Sequence, residues 1–155
     1  MEEKTIKILR ESGWYEERNI DISENLIFLK NRGFKIFDAA TEFMKEFGEL
    51  NIIVKRMRID GSIKIAKHTT CIKDIIGILD SFHFGLDNFV DHEGNRMTDK
   101  VLPVGAISNF ELYLYISENG KMYRNNGWIG NSSLEAFDNI ICEKGGKPWS
   151  DIYYD

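Results

Sequence analysis

The chain has 155 residues, with 20 Lys+Arg, 25 Asp+Glu and a net charge of −5. This length favours one domain, and 43% hydrophobic with 12% aromatic residues excludes a disordered tail. No apolar run approaches the roughly 18 residues of a membrane span, and the start lacks a signal-peptide pattern. Cys71 and Cys142 are too few for a disulfide framework and fit a reducing compartment. We therefore expect one domain over residues 1–155, cytoplasmic and without a membrane partner.

Apolar periodicity predicts three helices in the first third of the chain. Residues 3–12 carry apolar side chains on one helical face. A second helix starts at the capping-box pair Asp21 and Glu24 and ends at Gly33. A third helix is the clearest, because four apolar side chains recur at i, i+3, i+4 and i+7 before Gly48. These four are Ala40, Phe43, Met44 and Phe47.

The period then changes to two, which predicts hairpins. Residues 55–59 alternate basic and apolar side chains and lead into the turn dipeptide Asp60-Gly61, after which Ile63 and Ile65 continue the alternation. Another strand is predicted over residues 110–117, and it turns at Asn119-Gly120 into a strand around Met122.

Two further helices complete the predicted elements. One covers residues 71–83, and residues 84–100 follow without an assignment. The last starts at the capping box of Ser132 and Glu135, carries Leu134, Phe137 and Ile141 on one face, and ends at Gly145-Gly146. Helices first, then hairpins, then a closing helix predict an α+β fold, in which an antiparallel sheet is flanked by N-terminal helices and a C-terminal helix.

The common catalytic and cofactor motifs are absent from the sequence. It contains no GxxxxGK[ST] or GxGxxG phosphate loop, no GxSxG elbow and no HExxH. Asp80 and His83, with the nearby Asp91-His92, could form a metal site, but a core-edge and a loop histidine explain them better. A helix N-terminus would lower the pKa of the Cys71 thiol, yet we expect Cys71 and Cys142 to pack in the core. We predict no catalytic residue, metal or cofactor.

Charge is unevenly distributed in the middle of the chain. Between residues 55 and 73, six basic residues accompany Asp60 alone, and between residues 74 and 99, six acidic residues accompany Arg96 alone. Solvated surface charge, or mutual neutralisation of the two blocks, would explain this pattern. A functional alternative is an acidic surface that steers a basic protein, with Asp80, Asp87, Asp91 and Glu93 as contacts. We expect no nucleic-acid partner, because the chain is acidic and its basic block lacks interleaved aromatics.

Aromatic side chains offer a second candidate surface. Tyr113 and Tyr115 occupy the more polar register of strand 110–117, and Tyr123 and Trp128 follow. These four residues are interface anchors if that sheet face is solvated, and core residues if a helix covers it. The sequence leaves both alternatives open.

An ordered series of motifs resembles a known family. Residues 43–50 are similar to the pattern FL-x-E-F-G-G-L, with Glu49 at the position of the second glycine. Residues 118–123 are similar to the pattern D-x-x-G-x-V-Y, with Glu118 and Met122 as departures. The full series comprises Ser12-Gly13-Trp14 followed by Arg18, residues 43–50, Leu102-Pro103-Val104-Gly105, residues 118–123, and residues 129–132 before Glu135-Ala136-Phe137. Over about Ile8 to Gly145, this series resembles the third subgroup of the SUKH superfamily, immunity proteins of bacterial toxin systems.

This resemblance implies an α+β fold without a catalytic site, and a protein that neutralises a cognate toxin by binding it in the cytoplasm. The toxin would be basic, of a nuclease or deaminase type. Trp14, Phe43 and Phe47 would be core residues, Gly48 a helix C-cap and Pro103–Gly105 the start of a strand. Specificity would lie in residues 60–100. Two other functions stay open, a cytoplasmic adaptor module on the same fold and an undetected small-molecule enzyme.

Overall fold

A computed structural model describes residues 1–75, 101–125, 127–143 and the backbone of residues 147–148, and these residues form five helices and seven strands. The helices are α1 (Glu3–Glu11), α2 (Ser23–Asn31), α3 (Asp38–Phe47), α4 (Ile72–Ile75) and α5 (Ser133–Ile141). The strands are β1 (Asn51–Met57), β2 (Ile63–Thr69), β3 (Val101–Ile107), β4 (Leu112–Ser117), β5 (Met122–Arg124), β6 (Gly127–Gly130) and the two-residue β7 (Lys147–Pro148).

All seven strands belong to one antiparallel sheet, and their order in the sheet is their order in the chain. β1 and β2 pair along their full length, whereas β2 joins β3 through the single pair Thr69–Ala106. Three helices precede the sheet and α5 follows its sixth strand. The α+β class predicted from the sequence, with N-terminal helices and a C-terminal helix, is therefore confirmed.

Glycine ends α1 in the way that the sequence predicts. Gly13 has a φ of 111°, and its N–H donates to the carbonyl of Arg10 at 3.1 Å. The next N–H, that of Trp14, donates to the carbonyl of Leu9 at 2.9 Å. This pair of bonds is a Schellman motif, and Gly33, with a φ of 85°, ends α2 in the same way.

The two predicted capping boxes have different outcomes. The prediction of a box at Asp21 is wrong, because α2 begins at Ser23. Asp21 Oδ1 instead forms a local turn, in which it accepts the backbone N–H of Ser23 at 2.9 Å and the Ser23 hydroxyl at 2.6 Å. At α5, Ser132 Oγ accepts the N–H of Glu135 at 3.2 Å, as predicted. Glu135 returns its bond to the N–H of Asn131 at 3.0 Å, one residue earlier than a standard box.

The predicted first strand had the wrong start. β1 begins at Asn51, and its inward side chains are Ile52 and Val54 rather than those of residues 57 and 59. Met57 is 78% exposed and Ile59 is fully exposed. Because Ile52, Ile53 and Val54 are consecutive apolar residues, alternation alone could not indicate which face is buried.

Pro103 was predicted to start a strand, and that prediction is wrong. It lies inside β3, a central strand in which all seven residues are buried. The register with β4 shifts between Pro103 and Gly105, which is a bulge. A bulge accommodates proline within a sheet because no ladder N–H is needed there. Phe110, predicted to be in the next strand, lies instead in the β3–β4 turn.

An aromatic cluster joins the helices to one another. Phe47 lies 4.8 Å from Phe137 and 5.5 Å from Phe43 between ring centroids, and its ring stacks on Trp14 at 6.2 Å. The core positions predicted for Trp14, Phe43 and Phe47 are thus confirmed. On α5, Leu134 was predicted to face the core but is exposed, because Ala136, Ile140 and their neighbours face inward.

Two predicted helices differ in length from the helices that the structure describes. α5 ends at Ile141 with Cys142 as its C-cap, earlier than predicted, and Gly145-Gly146 lies outside the described residues. Of the helix predicted over residues 71–83, the described part is α4, with Ile72 and Ile75 buried. The rest of that helix and residues 84–100 also lie outside the described residues.

Candidate protein-binding surface

The motif residues around the α3–β1 junction serve the architecture. Arg18 donates from Nη1 to the carbonyls of Glu46 and Gly48, at 2.8 and 2.7 Å, and so caps the end of α3. Thr70 Oγ1 accepts the N–H of Leu50 at 2.9 Å and donates to the carbonyl of Phe47. These bonds fix the angle at which the chain leaves α3 and enters the sheet.

At this junction, one residue has no room for a side chain and the next residue has the left-handed backbone conformation. Gly48 is the predicted C-cap, and its φ of −67° is ordinary, but a Cβ there would collide with the carbonyl of Met44. Glu49 has the positive φ of 60° at the position where the family pattern has glycine. Asn25 donates to Glu49 Oε1 at 3.0 Å and helps to hold the carboxylate in place.

The four aromatic residues of the second candidate surface fall into two pairs, one buried and one half-buried. Tyr115 and Tyr123 face each other across β4 and β5, and only 3% and 1% of them is exposed. Burial raises the pKa of Tyr115 to about 12. Tyr115 and Tyr123 are therefore core residues, because both faces of β4 are covered along its last four residues. Tyr113 and Trp128 are half-buried and retain accessible surface.

The predicted acidic contacts Asp80, Asp87, Asp91 and Glu93 lie outside the described residues, as do His83 and His92. No cluster of His, Cys, Asp or Glu within the described ranges could hold a metal ion. In the same part of the chain, no helix is long and apolar enough to cross a bilayer.

Both thiols have a pKa above the ordinary value for cysteine. Burial raises the pKa of the Cys71 thiol, and the helix it precedes is a single turn of four residues. The sequence had predicted a lowered pKa there, which is wrong because desolvation outweighs the short helix. Burial also raises the pKa of Cys142, whose Sγ lies 3.4 Å from Thr5 Oγ1. Both side chains are half-buried rather than fully in the core.

The β1–β2 hairpin has an inner face that lines a pocket of about 310 Å³ against the end of α5. Arg56 points inward here, pairs with Glu143 and donates to the carbonyl of Ile141 at 2.5 Å. It thereby caps the C-terminus of α5, where a cation is favourable. Arg124 borders the same pocket, and burial lowers its pKa.

His68 lies at the back of this pocket and connects β2 to the β3–β4 turn. Its Nδ1 accepts the N–H of Ser108 at 3.0 Å, so the neutral ring carries its proton on Nε2. Burial, with Arg56 as a second cause, lowers the pKa of His68 to about 4. Asn109 completes the connection, since its backbone N–H donates to the carbonyl of Lys67 at 2.9 Å and its Oδ1 accepts the Lys67 N–H at 3.0 Å.

The opposite side of the hairpin is apolar, basic and exposed. Side chains that alternate with Ile52 and Val54 point outward, and the antiparallel register brings their partners in β2 to the same side. We call these six residues the hairpin outer face: Ile53, Lys55, Met57, Ile63, Ile65 and Lys67. Sequence reasoning missed this surface because it interpreted the apolar alternation without knowing which side was buried.

Two shallow grooves border the hairpin outer face. One, of about 510 Å³, lies between α1 and β1 and is lined by Lys4, Lys7 and Ile8 together with Ile53 and Lys55. The other, of about 260 Å³, lies beside Ile53 and Lys67 and reaches Phe110. The arrangement offers a surface with several exposed apolar side chains, which is the feature that marks an interaction site.

The family model of SUKH-3, described as SUKH-3 immunity protein, matches residues 1–143 of this chain. The comparison with curated proteins and the comparison with solved structures each gave no match. The family match covers the helices, the first six strands and the motif residues whose architectural roles the structure defines. The chain therefore belongs to the SUKH-3 immunity protein family.

Proposed function

We propose that this protein confers immunity by binding a cognate bacterial toxin and covering its functional surface, without catalysing a reaction. The observation that carries the proposal is the SUKH-3 match over residues 1–143. The raised thiol pKa values and the architectural roles of the motif residues agree with action by binding. We place this activity in the cytoplasm, where the two cysteines would stay reduced.

The finer part of the proposal concerns the toxin. We infer a basic nuclease or deaminase, because the chain carries a net charge of −5 and an acidic block between residues 74 and 99. Asp80, Asp87, Asp91 and Glu93 would meet the basic substrate groove of such a toxin, and Tyr113 and Trp128 would add aromatic contacts. Reversing the charge of Asp87, Asp91 and Glu93 should then slow association, and an unchanged rate would contradict this assignment.

Co-expression tests the function. A toxin domain taken from the genes that neighbour this one is expressed in a sensitive host, alone and together with this chain. Survival only in the presence of the chain, with the two proteins co-purifying in equal amounts, is the expected result. Killing that continues at full level while the chain accumulates as a folded protein would reject the proposal. Mixed housekeeping proteins in the purified fraction would favour the adaptor function instead.

A further inference from the structure

We propose that the hairpin outer face is a docking surface for the toxin, and that the toxin meets it with an apolar patch rimmed by acidic groups. This inference rests on the proposed function and deepens it, since it names the surface and the chemistry of its complement. The acidic block and the hairpin outer face have opposite charges and would contact different parts of the toxin.

The first argument is the amount of apolar side chain left in water. Ile53, Met57, Ile63 and Ile65 are all exposed large hydrophobic residues on this one side, and the turn beyond them carries the fully exposed Ile59. Single exposed apolar residues are common, but a contiguous group of them on one face marks an interaction site.

The second argument is charge, which identifies the kind of partner. Lys55 lies opposite Ile65, and Lys67 lies opposite Ile53, so each cation stands beside an exposed aliphatic side chain. Lys4 and Lys7 add positive charge in the adjoining groove, where Glu11 is the acidic lining residue. This face is basic although the whole chain has a net charge of −5, so a patch on the toxin that carries acidic groups complements it.

The same charges argue against a second copy of this chain as the occupant. A twofold contact through this face would bring lysines against lysines, and like charges in direct opposition are destabilising. β1 is also the first strand in the sheet order, and lysine on such a strand is a known device against pairing with another sheet.

The third argument is that the hairpin is held in position before any partner binds. Its strands pair along seven residues, and Arg56 anchors its inner face to Glu143 and to the end of α5. A surface that is already ordered loses little conformational entropy on binding, so its contacts contribute to affinity efficiently.

The test compares two isoleucines of similar exposure. Ile63→Glu places an anion at the turn end of the hairpin outer face, where Ile63 pairs with Met57 and is 63% exposed. Ile27→Glu is the matched control on α2, where Ile27 is 60% exposed. The probe is the toxin domain that the co-expression experiment pairs with this chain. We expect Ile63→Glu to weaken binding at least about tenfold and Ile27→Glu to leave it unchanged.

A charge-reversal pair gives a second, independent readout. The double variant Lys55→Glu and Lys67→Glu should slow association with the toxin and reverse the salt dependence contributed by this face. The control double variant Lys30→Glu and Lys35→Glu changes two other exposed lysines and should have neither effect. Thermal unfolding of every variant checks that each is folded.

The outcomes separate the surface from the function. Wild-type binding that survives both hairpin changes would overturn the docking surface and leave the immunity function intact. Absence of wild-type binding would overturn both. The wild-type protein is also tested for binding to vesicles of anionic lipid and for dimerisation. If Ile63→Glu abolishes either one while toxin binding persists, the proposal is overturned and the face is assigned to a membrane or to a second copy.

Discussion

His68 accepts the backbone N–H of Ser108 through Nδ1 at 3.0 Å, and this bond spans the gap where β2 and β3 share only one residue pair. The turn that supplies the donor is unusual, because Ser108, Asn109 and Phe110 all have positive φ, at 52°, 59° and 68°. Successive left-handed residues other than glycine are unfavourable, so the bonds from His68 and Asn109 are needed to hold the turn.

Protonation of His68 should destabilise the protein in mild acid. Its folded-state pKa of about 4 lies below the unfolded value of 6.5, so this contribution is complete above pH 6.5 and is lost as the pH falls toward 4. At pH 5 the loss is about 2 kcal/mol in the free energy of unfolding. Urea denaturation at pH 7 and pH 5 measures it. His68→Asn keeps an acceptor near the Nδ1 position and should lose about 2 kcal/mol less between the two pH values. Equal losses in both proteins would contradict the assignment.

Arg56 should stabilise the fold through the end of α5. Arg56→Gln removes the charge that pairs with Glu143 and the donor to Ile141, so we expect a decrease of about 1 to 2 kcal/mol in the free energy of unfolding. Arg58→Gln is the matched control, because Arg58 is exposed beyond the end of β1 and should change stability by under about 0.5 kcal/mol. Equal effects of the two substitutions in urea denaturation would show that Arg56 does not cap the helix.

Gly48 should be intolerant of any side chain. In Gly48→Ala the new Cβ meets the backbone carbonyl of Met44, which cannot move without unwinding α3, so a loss of more than about 2 kcal/mol is expected. Gly61→Ala provides the comparison, since its Cβ would meet nothing within 4 Å and only its φ of 86° is unfavourable, at about 1 kcal/mol. Thermal and urea unfolding rank the two variants, and the reverse ranking would refute the steric argument.

The two thiols should react slowly near neutral pH. Burial raises the pKa of both Cys71 and Cys142, so little thiolate is present at pH 7. We expect alkylation by iodoacetamide to be slower than that of glutathione at pH 7 and to accelerate above pH 9. Mass spectrometry of the labelled peptides follows each site separately. Rapid labelling of either cysteine at pH 7 would contradict the raised pKa of that thiol.

Much of the fold could be predicted because local signals and burial agree. The stripe on α3, the glycines after α1 and α2 and the Asn119-Gly120 turn each combine apolar period with a backbone requirement that the sequence displays. The family pattern also indicated correctly that Trp14 and Phe47 belong to the core.

The remaining features depend on tertiary context that the sequence does not display. Which side of β1 is buried follows from where the helices pack, and so the orientation of Arg56 and Met57 could not be predicted from alternation. The burial of Tyr115 and Tyr123 depends in the same way on whether both faces of β4 are covered. Pro103 inside a central strand required a bulge that has no local sequence signal.

The most direct test of immunity by occlusion is a titration of toxin activity with the purified protein. The toxin domain of the co-expression experiment is assayed on its own substrate at about 0.15 M salt, where exposed charges farther apart than roughly 8 Å are largely screened. Activity that falls linearly to zero at one equivalent of this protein, with recovery of a 1:1 complex, is the predicted result. Full toxin activity in a several-fold excess of folded protein would contradict the central claim.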